Sequence, residues 1–300
     1  MAPPSRPDRP VISPFMWISR CIAMTIPLLC EVAVAEPEPL KLEMLPLVSA
    51  ASAITSPDQK YLVSVHVGAS QLTKAIWIDE GNRTELDFVG EDKVTRLCFF
   101  KNPRPDMFQA KMWAEDFDRD SSDGLRAITF SGPVDCRFEK WIMQVGEKVL
   151  PLGLVSLAFQ KEIPCAGTPV VDSKGKIVAL VLQAASGNTA YAIPVQAIHR
   201  VQKDVIEHQK LVRGWLGITM STGSQVPRIT RVLPGSPAEK AGILEDDVLL
   251  RAGAYQTERY PDAVNALFYT MPGKPTSLEI LRHNERLPIS VTPIVKTPGK

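Results

Sequence analysis

From about residue 46 to residue 200, apolar runs of four to eight residues recur between polar or glycine-bearing turns. They include Tyr61–Val65, Ala75–Ile78, Leu97–Phe100, Ala127–Phe130, Trp141–Val145, Val155–Phe159 and Ile177–Gln183. Runs of this length predict β-strands, and many in series predict a barrel or sandwich. Glu80-Gly81-Asn82-Arg83 and Ser173-Lys174-Gly175 supply hairpin turns. The period then changes. Val195, Ile198, Val201, Val205 and Ile206 recur near every 3.6 residues, which predicts an amphipathic helix over 195–211 leading into a second domain. Within that domain, Pro261–Met271 reads as a helix with Ala263, Leu267 and Phe268 on one face. Ser277–Leu281 and Leu287–Val291 read as strands joined by the polar turn His283-Asn284-Glu285-Arg286.

The N-terminus follows neither pattern. Arg6, Arg9 and Arg20 precede the apolar stretch Ile22–Cys30, and Ala33-Val34-Ala35 has the form that signal peptidase cleaves. Glu31 ends the apolar run, leaving it too short to span a bilayer comfortably. Residues 1–35 are therefore expected to be a signal peptide, sending the rest to the periplasm or outside the cell. Left uncleaved, the segment would be a membrane anchor. Cys30 would suit a lipoprotein, but Leu29 before it is bulky where a small residue is required. Glu36-Pro37-Glu38-Pro39 opens a stiff acidic linker over 36–50.

Three hundred residues accommodate two domains of ordinary size. Hydrophobic residues at 45% and charged residues at 22% suit a globular chain, and a net charge of +1 gives no electrostatic case for nucleic acid. Four His and five Cys are scattered without metal-ligand spacing, so no metal or cofactor is expected. Cleavage at 35 leaves Cys98, Cys136 and Cys165, enough for at most one disulfide. The alternative is that all three are small buried hydrophobes, the preferred reading for Cys98. The stretch Asp116–Gly124 is superficially similar to a calcium loop but lacks the closing bidentate Glu, and reads as a solvated acidic turn.

Five segments carry a resemblance. Pro164-Cys165-Ala166-Gly167-Thr168-Pro169 is followed by the strand–turn–strand Val170–Leu180, then Tyr191-Ala192-Ile193-Pro194-Val195 and the helix. Gly214-Trp215-Leu216-Gly217-Ile218 comes next, and Leu233-Pro234-Gly235-Ser236-Pro237-Ala238-Glu239-Lys240-Ala241-Gly242-Ile243 completes the series. This order resembles the HtrA (DegP-like) family of trypsin-fold serine proteases with a C-terminal PDZ domain. The resemblance implies a mainly β fold, a double β-barrel of six strands each with short loops, followed by an α+β PDZ domain. The implied divisions are a signal peptide at 1–35, a linker at 36–50 and a degenerate protease domain at 51–205. An interdomain helix or linker at 206–213, a PDZ domain at 214–293 and a tail at 294–300 follow. Relatives commonly trimerise, so a homo-oligomer is implied by resemblance alone.

The resemblance also assigns positions. His66, after Leu62-Val63-Ser64-Val65, falls at the family's catalytic His, on a strand-to-helix turn. The family's Asp falls on Arg96, and its Ser, within Gly-Asn-Ser-Gly-Gly-Pro, falls on Ala166. Asp92 matches a different acidic position. A serine protease needs a nucleophile, a base oriented by an acid, and donors for the oxyanion. Ala166 has no heteroatom, Arg96 cannot accept an imidazole N–H, and Pro164 lacks the N–H that the family's glycine donates. Loss of the nucleophile alone costs on the order of 10⁶ in rate, and loss of one oxyanion donor roughly 10²–10³. Cys165 is a thiol beside the nucleophile position. Pro169 falls three residues after Ala166, as the motif requires, and four after Cys165, so cysteine catalysis needs a one-residue slip. The expected function is therefore a secreted pseudoprotease that binds polypeptide C-termini or unfolded segments, as scaffold, regulator or holdase. The alternative is an active endopeptidase using Cys165 or another nucleophile. The peptide site would be the carboxylate loop Trp215, Leu216, Gly217 and Ile218, with Leu267 on the facing helix.

Overall fold

The computed structural model describes residues 36–46, 49–105, 112–117 and 124–296. The expected signal peptide and most of the acidic turn at 116–124 lie outside these residues. The first seven strands are β1 (Leu40–Leu45), β2 (Ser49–Thr55), β3 (Tyr61–Val65), β4 (Lys74–Asp79), β5 (Asn82–Glu85), β6 (Phe88–Glu91) and β7 (Leu97–Lys101). They form one antiparallel sheet in the order β5-β4-β1-β2-β3-β7-β6. This is a seven-stranded sheet rather than the six-stranded barrel expected. The extra strand comes from the stretch read as linker. Leu40, Leu42 and Met44 are buried while Lys41 is exposed, the period-2 pattern of a half-buried strand, and β1 sits between β2 and β4. The prolines at 37 and 39 mark only its approach.

The second six strands are β8 (Arg126–Thr129), β9 (Gly132–Val145), β10 (Lys148–Phe159), β11 (Pro169–Val171), β12 (Ile177–Ala184) and β13 (Thr189–Pro194). They close into a barrel in the order β10-β13-β12-β11-β8-β9. The turns follow from local chemistry. Glu80 and Gly81, between β4 and β5, both have positive φ, as a two-residue hairpin turn requires. Between β11 and β12, Asp172 Oδ1 accepts from the N–H groups of Lys174 and Lys176 at 2.8 and 2.9 Å.

Helix α1 (Val195–His208) follows β13 and ends at Gln209 in the left-handed conformation. It buries Ile198, Val201 and Val205 in a cluster shared by both sheets, with Val63, Val65, Leu97 and Phe99 from the first and Ile177, Leu180 and Ile193 from the barrel. Each sheet also has a core of its own, around Leu42 and Phe100 in the first and around Val155 and Leu157 in the barrel. On the other face of α1, Arg200 pairs with Asp204 at 2.5 Å, and both are buried. Arg200 donates to the Val212 carbonyl, and Asp204 accepts from the Val212 N–H. The pair thereby pins the chain leaving the helix, and a buried charge pair held by further hydrogen bonds is far less costly than an unpaired one.

The C-terminal α+β unit comprises β14 (Gly214–Trp215), β15 (Ile218–Met220), β16 (Ile229–Val232), α2 (Pro237–Lys240), β17 (Val248–Ala252), β18 (Tyr255–Gln256), α3 (Tyr260–Phe268), β19 (Thr276–Arg282), β20 (Glu285–Val291) and β21 (Ile294–Val295). Ser236 caps α2, its hydroxyl accepting from the Glu239 N–H, with Pro237 at the first helical position. Pro288 is accommodated because β20 is an edge strand of the sheet β18-β17-β19-β20. Leu216, Ile229, Leu249, Ala263, Leu278 and Ile280 make the core. The unit is docked on the barrel through α3. Asn265 Oδ1 accepts from the Gly153 N–H of β10 at 2.6 Å, and Phe268 joins the cluster shared by the two sheets.

Candidate functional site

The loop before β11 joins the two sheets. The Ser52 N–H on β2 donates to the Ala166 carbonyl at 2.8 Å, and the Gly167 N–H donates to Val181 on β12 at 2.8 Å. The Ser64 hydroxyl on β3 donates to the Ser52 carbonyl at 2.6 Å. Gly167 has φ +82°, and a Cβ there would lie 1.9 Å from the Ser52 carbonyl oxygen. Only glycine fits this approach. His66, one residue past the end of β3, is thereby on the same strand pair as the loop that carries Ala166. Residues 66–73 contain no helix, so His66 leaves a strand for an irregular segment rather than the helical turn expected.

His66 is buried, and its Nδ1 lies 3.6 Å from Glu91 Oε2. On the Nε2 side, a Cβ on Gly68 would come within 2.6 Å of that nitrogen. Gly68 thus covers the imidazole edge with backbone. Arg96 is close to His66 through its main chain, the His66 N–H donating to the Arg96 carbonyl at 2.9 Å. Its guanidinium turns outward and donates to the Gly68 carbonyl at 3.0 Å. Arg96 has φ +66°, a conformation that disfavours side chains with a Cβ. Asp92 is used in the turn, its Oδ2 accepting from the N–H and the hydroxyl of Thr95, both at 2.8 Å. The acid that faces His66 is therefore Glu91, which the sequence reading passed over. The signal was present: Asp92-Lys93-Val94-Thr95 is an Asx-turn pattern that assigns Asp92 to the backbone and leaves its neighbour free.

Cys165 is half-buried, and its Sγ lies 3.5 Å from Thr168 Oγ1. A cleft of about 500 Å³ adjoins it, lined by Thr129, Phe130, Ile163 and Pro164. The three cysteines Cys98, Cys136 and Cys165 are all free thiols. Burial pushes the Cys98 thiol far up, with Glu91 adding to the shift, and pushes Cys136 up to about 12. Neither is a nucleophile under ordinary conditions.

In the C-terminal unit, Trp215, Leu216, Gly217 and Ile218 form the passage from β14 to β15. The Leu216 carbonyl accepts from Ala238 and the Gly217 carbonyl from Leu233. Gly217 has φ +80°, and a Cβ would sit 2.2 Å from that of Ser236. The loop is thus held against the start of α2 in a shape that only glycine permits. β15 is paired on one side only, by β16, among the described residues. Ile218, Met220 and Leu267 of α3 are half-buried members of one cluster. A strand edge facing a helix over an apolar floor can accept an extended peptide as an added strand.

This arrangement of a curled sheet, a closed barrel and an α+β unit is a mostly β, trypsin-like fold followed by a PDZ domain. Residues 214–292 match the family model described as "PDZ domain". The described residues have the fold of HtrA/DegP-type serine proteases with a PDZ domain. Among curated relatives, the probable periplasmic serine endoprotease DegP-like of Chlamydia muridarum is 29% identical over 263 residues, covering 74% of this chain and 51% of its own length. The serine protease Do-like HtrB of Bacillus subtilis is 21% identical, covering 78% of this chain and 59% of its own. The chain spans about half the length of the relatives it matches. Among solved structures, the HtrA-type protease AlgW with decapeptide superposes with a TM-score of 0.61 at 19% identity, covering 89% of this chain and 98% of that one. The serine endoprotease from Yersinia pestis superposes with a TM-score of 0.54 at 15% identity, covering 88% and 96%.

Proposed function

We propose that this chain is an HtrA-like pseudoprotease that holds polypeptide through its PDZ domain, as scaffold, regulator or holdase, and does not cut it. The observation that carries this reading is the Ala166 loop. It is anchored to Ser52 and Val181 beside the strand that ends at His66, and it offers a methyl group where the family pattern has a hydroxyl. Pro164 removes an amide donor from the same loop, and the Arg96 guanidinium donates to the Gly68 carbonyl and has no acceptor to offer His66. The PDZ loop at Trp215–Ile218, by contrast, keeps its tight glycine, an open strand edge and the half-buried Ile218 and Leu267. A terminal carboxylate would sit on the loop amides, with the apolar side chains of the peptide against Ile218 and Leu267. The names of the relatives, together with the N-terminal pattern, support a periplasmic or secreted location, and a membrane-anchored one if residues 1–35 stay attached.

The second reading, cleavage by Cys165, draws on the half-buried thiol beside a cleft. Against it, the Cys165 thiol contacts the Thr168 hydroxyl, while His66 faces Glu91 and Gly68. Labelled casein incubated with purified protein separates the two. The proposal expects no turnover by the natural chain or by Cys165→Ala. Turnover that disappears in Cys165→Ala would overturn it in favour of the second reading.

A further inference from the structure

A second cavity, of about 550 Å³, lies where the PDZ domain meets the barrel. The barrel side contributes Phe117 and Trp141, whose rings meet edge to face at 5.6 Å. Tyr255 and Tyr269 line it from the PDZ side, stacked at 4.5 Å with an interplanar angle of 17°. The walls are fixed in place. Gln196 of α1 accepts from the Phe117 N–H at 3.0 Å, and the Asn265–Gly153 hydrogen bond clamps α3 to β10. The rim is acidic, with Asp116, Glu258 and Asp262 against the single cation Arg259. Arg259 is engaged by Asp262, which also accepts from the Arg259 N–H and so caps α3. Among the described residues, Asp116 and Glu258 have no ion-pair partner. Burial pushes the Tyr255 phenol up to about 12, and the negative charge of Asp116 adds to the shift. Burial also raises Tyr269, with neighbouring Tyr255 adding more to the shift than Asp116 does, so both rings stay neutral.

We infer that this cavity is a binding site for an organic cation, an alkylammonium or guanidinium group, lined by the four aromatic rings and neutralised by Asp116 and Glu258. Aromatic faces attract cations through their quadrupoles, most strongly where water is excluded, and unpaired carboxylates at the mouth supply the counter-charge. The volume is in the range that takes a small ligand. The site is separate from the carboxylate loop, since Asp262, Asn265 and Tyr269 line it from one face of the α3 segment and Leu267 lies on the opposite face, and it does not depend on the peptide reading. Two sources share the chemistry: a free polyamine, or a Lys or Arg side chain of a polypeptide.

Calorimetric titration of the full chain with N-acetyl-arginine amide, with its neutral isostere N-acetyl-citrulline amide, and with spermidine tests the assignment. Saturable binding of the arginine probe and not of the citrulline probe is expected. Trp141→Leu should weaken it about tenfold, and Asp116→Asn with Glu258→Gln by a similar factor. The two carboxylate replacements are at exposed positions, so they leave the fold intact and decide the matter even if Trp141→Leu disturbs the barrel. Binding of spermidine as tight as that of the arginine probe assigns the site to free polyamines, and binding of the arginine probe alone assigns it to a side chain. Equal binding of the citrulline probe, indifference to the carboxylate replacements, or no saturable binding of either cation up to about 10 mM, tenfold above a millimolar dissociation constant, would overturn the inference.

Discussion

Gly167 and Gly217 are each the point where a loop must touch another backbone. Both have positive φ, and in both a Cβ would meet its neighbour at less than 3 Å. Gly217→Ala is expected to cost at least about 2 kcal/mol, one part from the left-handed conformation and one from the clash with Ser236. Urea unfolding would show it as a lowered midpoint, together with loss of peptide binding. The cysteines differ in the opposite sense. Cys98 and Cys136 are buried and their thiols are pushed up, whereas Cys165 is half-exposed. Brief iodoacetamide treatment of the folded chain, read by mass spectrometry, should therefore modify Cys165 before either of the others. The raised acids also set the alkaline limit of stability. The Cys136 thiol ionises near the ordinary thiol value of 9.0 in the unfolded chain, and burial pushes it up to about 12 in the folded one. The unfolded state releases its proton first, so stability is fully present below about pH 9 and falls as pH rises toward 12. Cys98 and Tyr255 shift in the same direction, and the melting temperature is expected to decline above about pH 9, less steeply in Cys136→Ala.

Elements were legible in the sequence wherever the period of apolar residues was unbroken. The amphipathic positions of α1, the strands at Tyr61–Val65 and Ile177–Ala184, and the two-residue hairpin at Glu80-Gly81 all follow from it. β1 was obscured because the prolines before it mark a linker, and its short alternation of Leu40, Leu42 and Met44 is visible only once its neighbours β2 and β4 are known. At the site, glycine loops and the alanine at 166 are local facts and could be read. The pairing of His66 with Glu91 is a tertiary one, set by the Asx turn at Asp92, and a motif aligned to Arg96 could not supply it. Within α1, the buried Arg200–Asp204 pair holds the chain at Val212. Arg200→Ala leaves Asp204 buried without its partner and should cost roughly 3–5 kcal/mol, whereas Asn265→Ala, which strips the Gly153 N–H of its acceptor, should cost about 1–3 kcal/mol. Hydrogen exchange should register the second change locally, as lost protection on β10 around Gly153.

At the scale of the molecule, the two halves of the fold have unequal chemistry. The barrel has its seam and a buried histidine but has no hydroxyl at 166 and no amide N–H at 164. The PDZ domain retains an open edge and a glycine-held loop. Restoring the hydroxyl alone should not restore cleavage. Ala166→Ser leaves Pro164 without a donor and Arg96 facing solvent, so turnover of casein should remain undetectable. The central claim is that the chain holds polypeptide ends without cutting them. It is tested most directly by mixing the purified protein with a fluorescent peptide bearing a free C-terminal carboxylate, and reading both anisotropy and peptide mass. The account predicts that anisotropy rises to saturation, that the peptide keeps its full mass, and that an amidated twin does not bind. Fragments of the peptide, or equal binding of the amidated form, would contradict it.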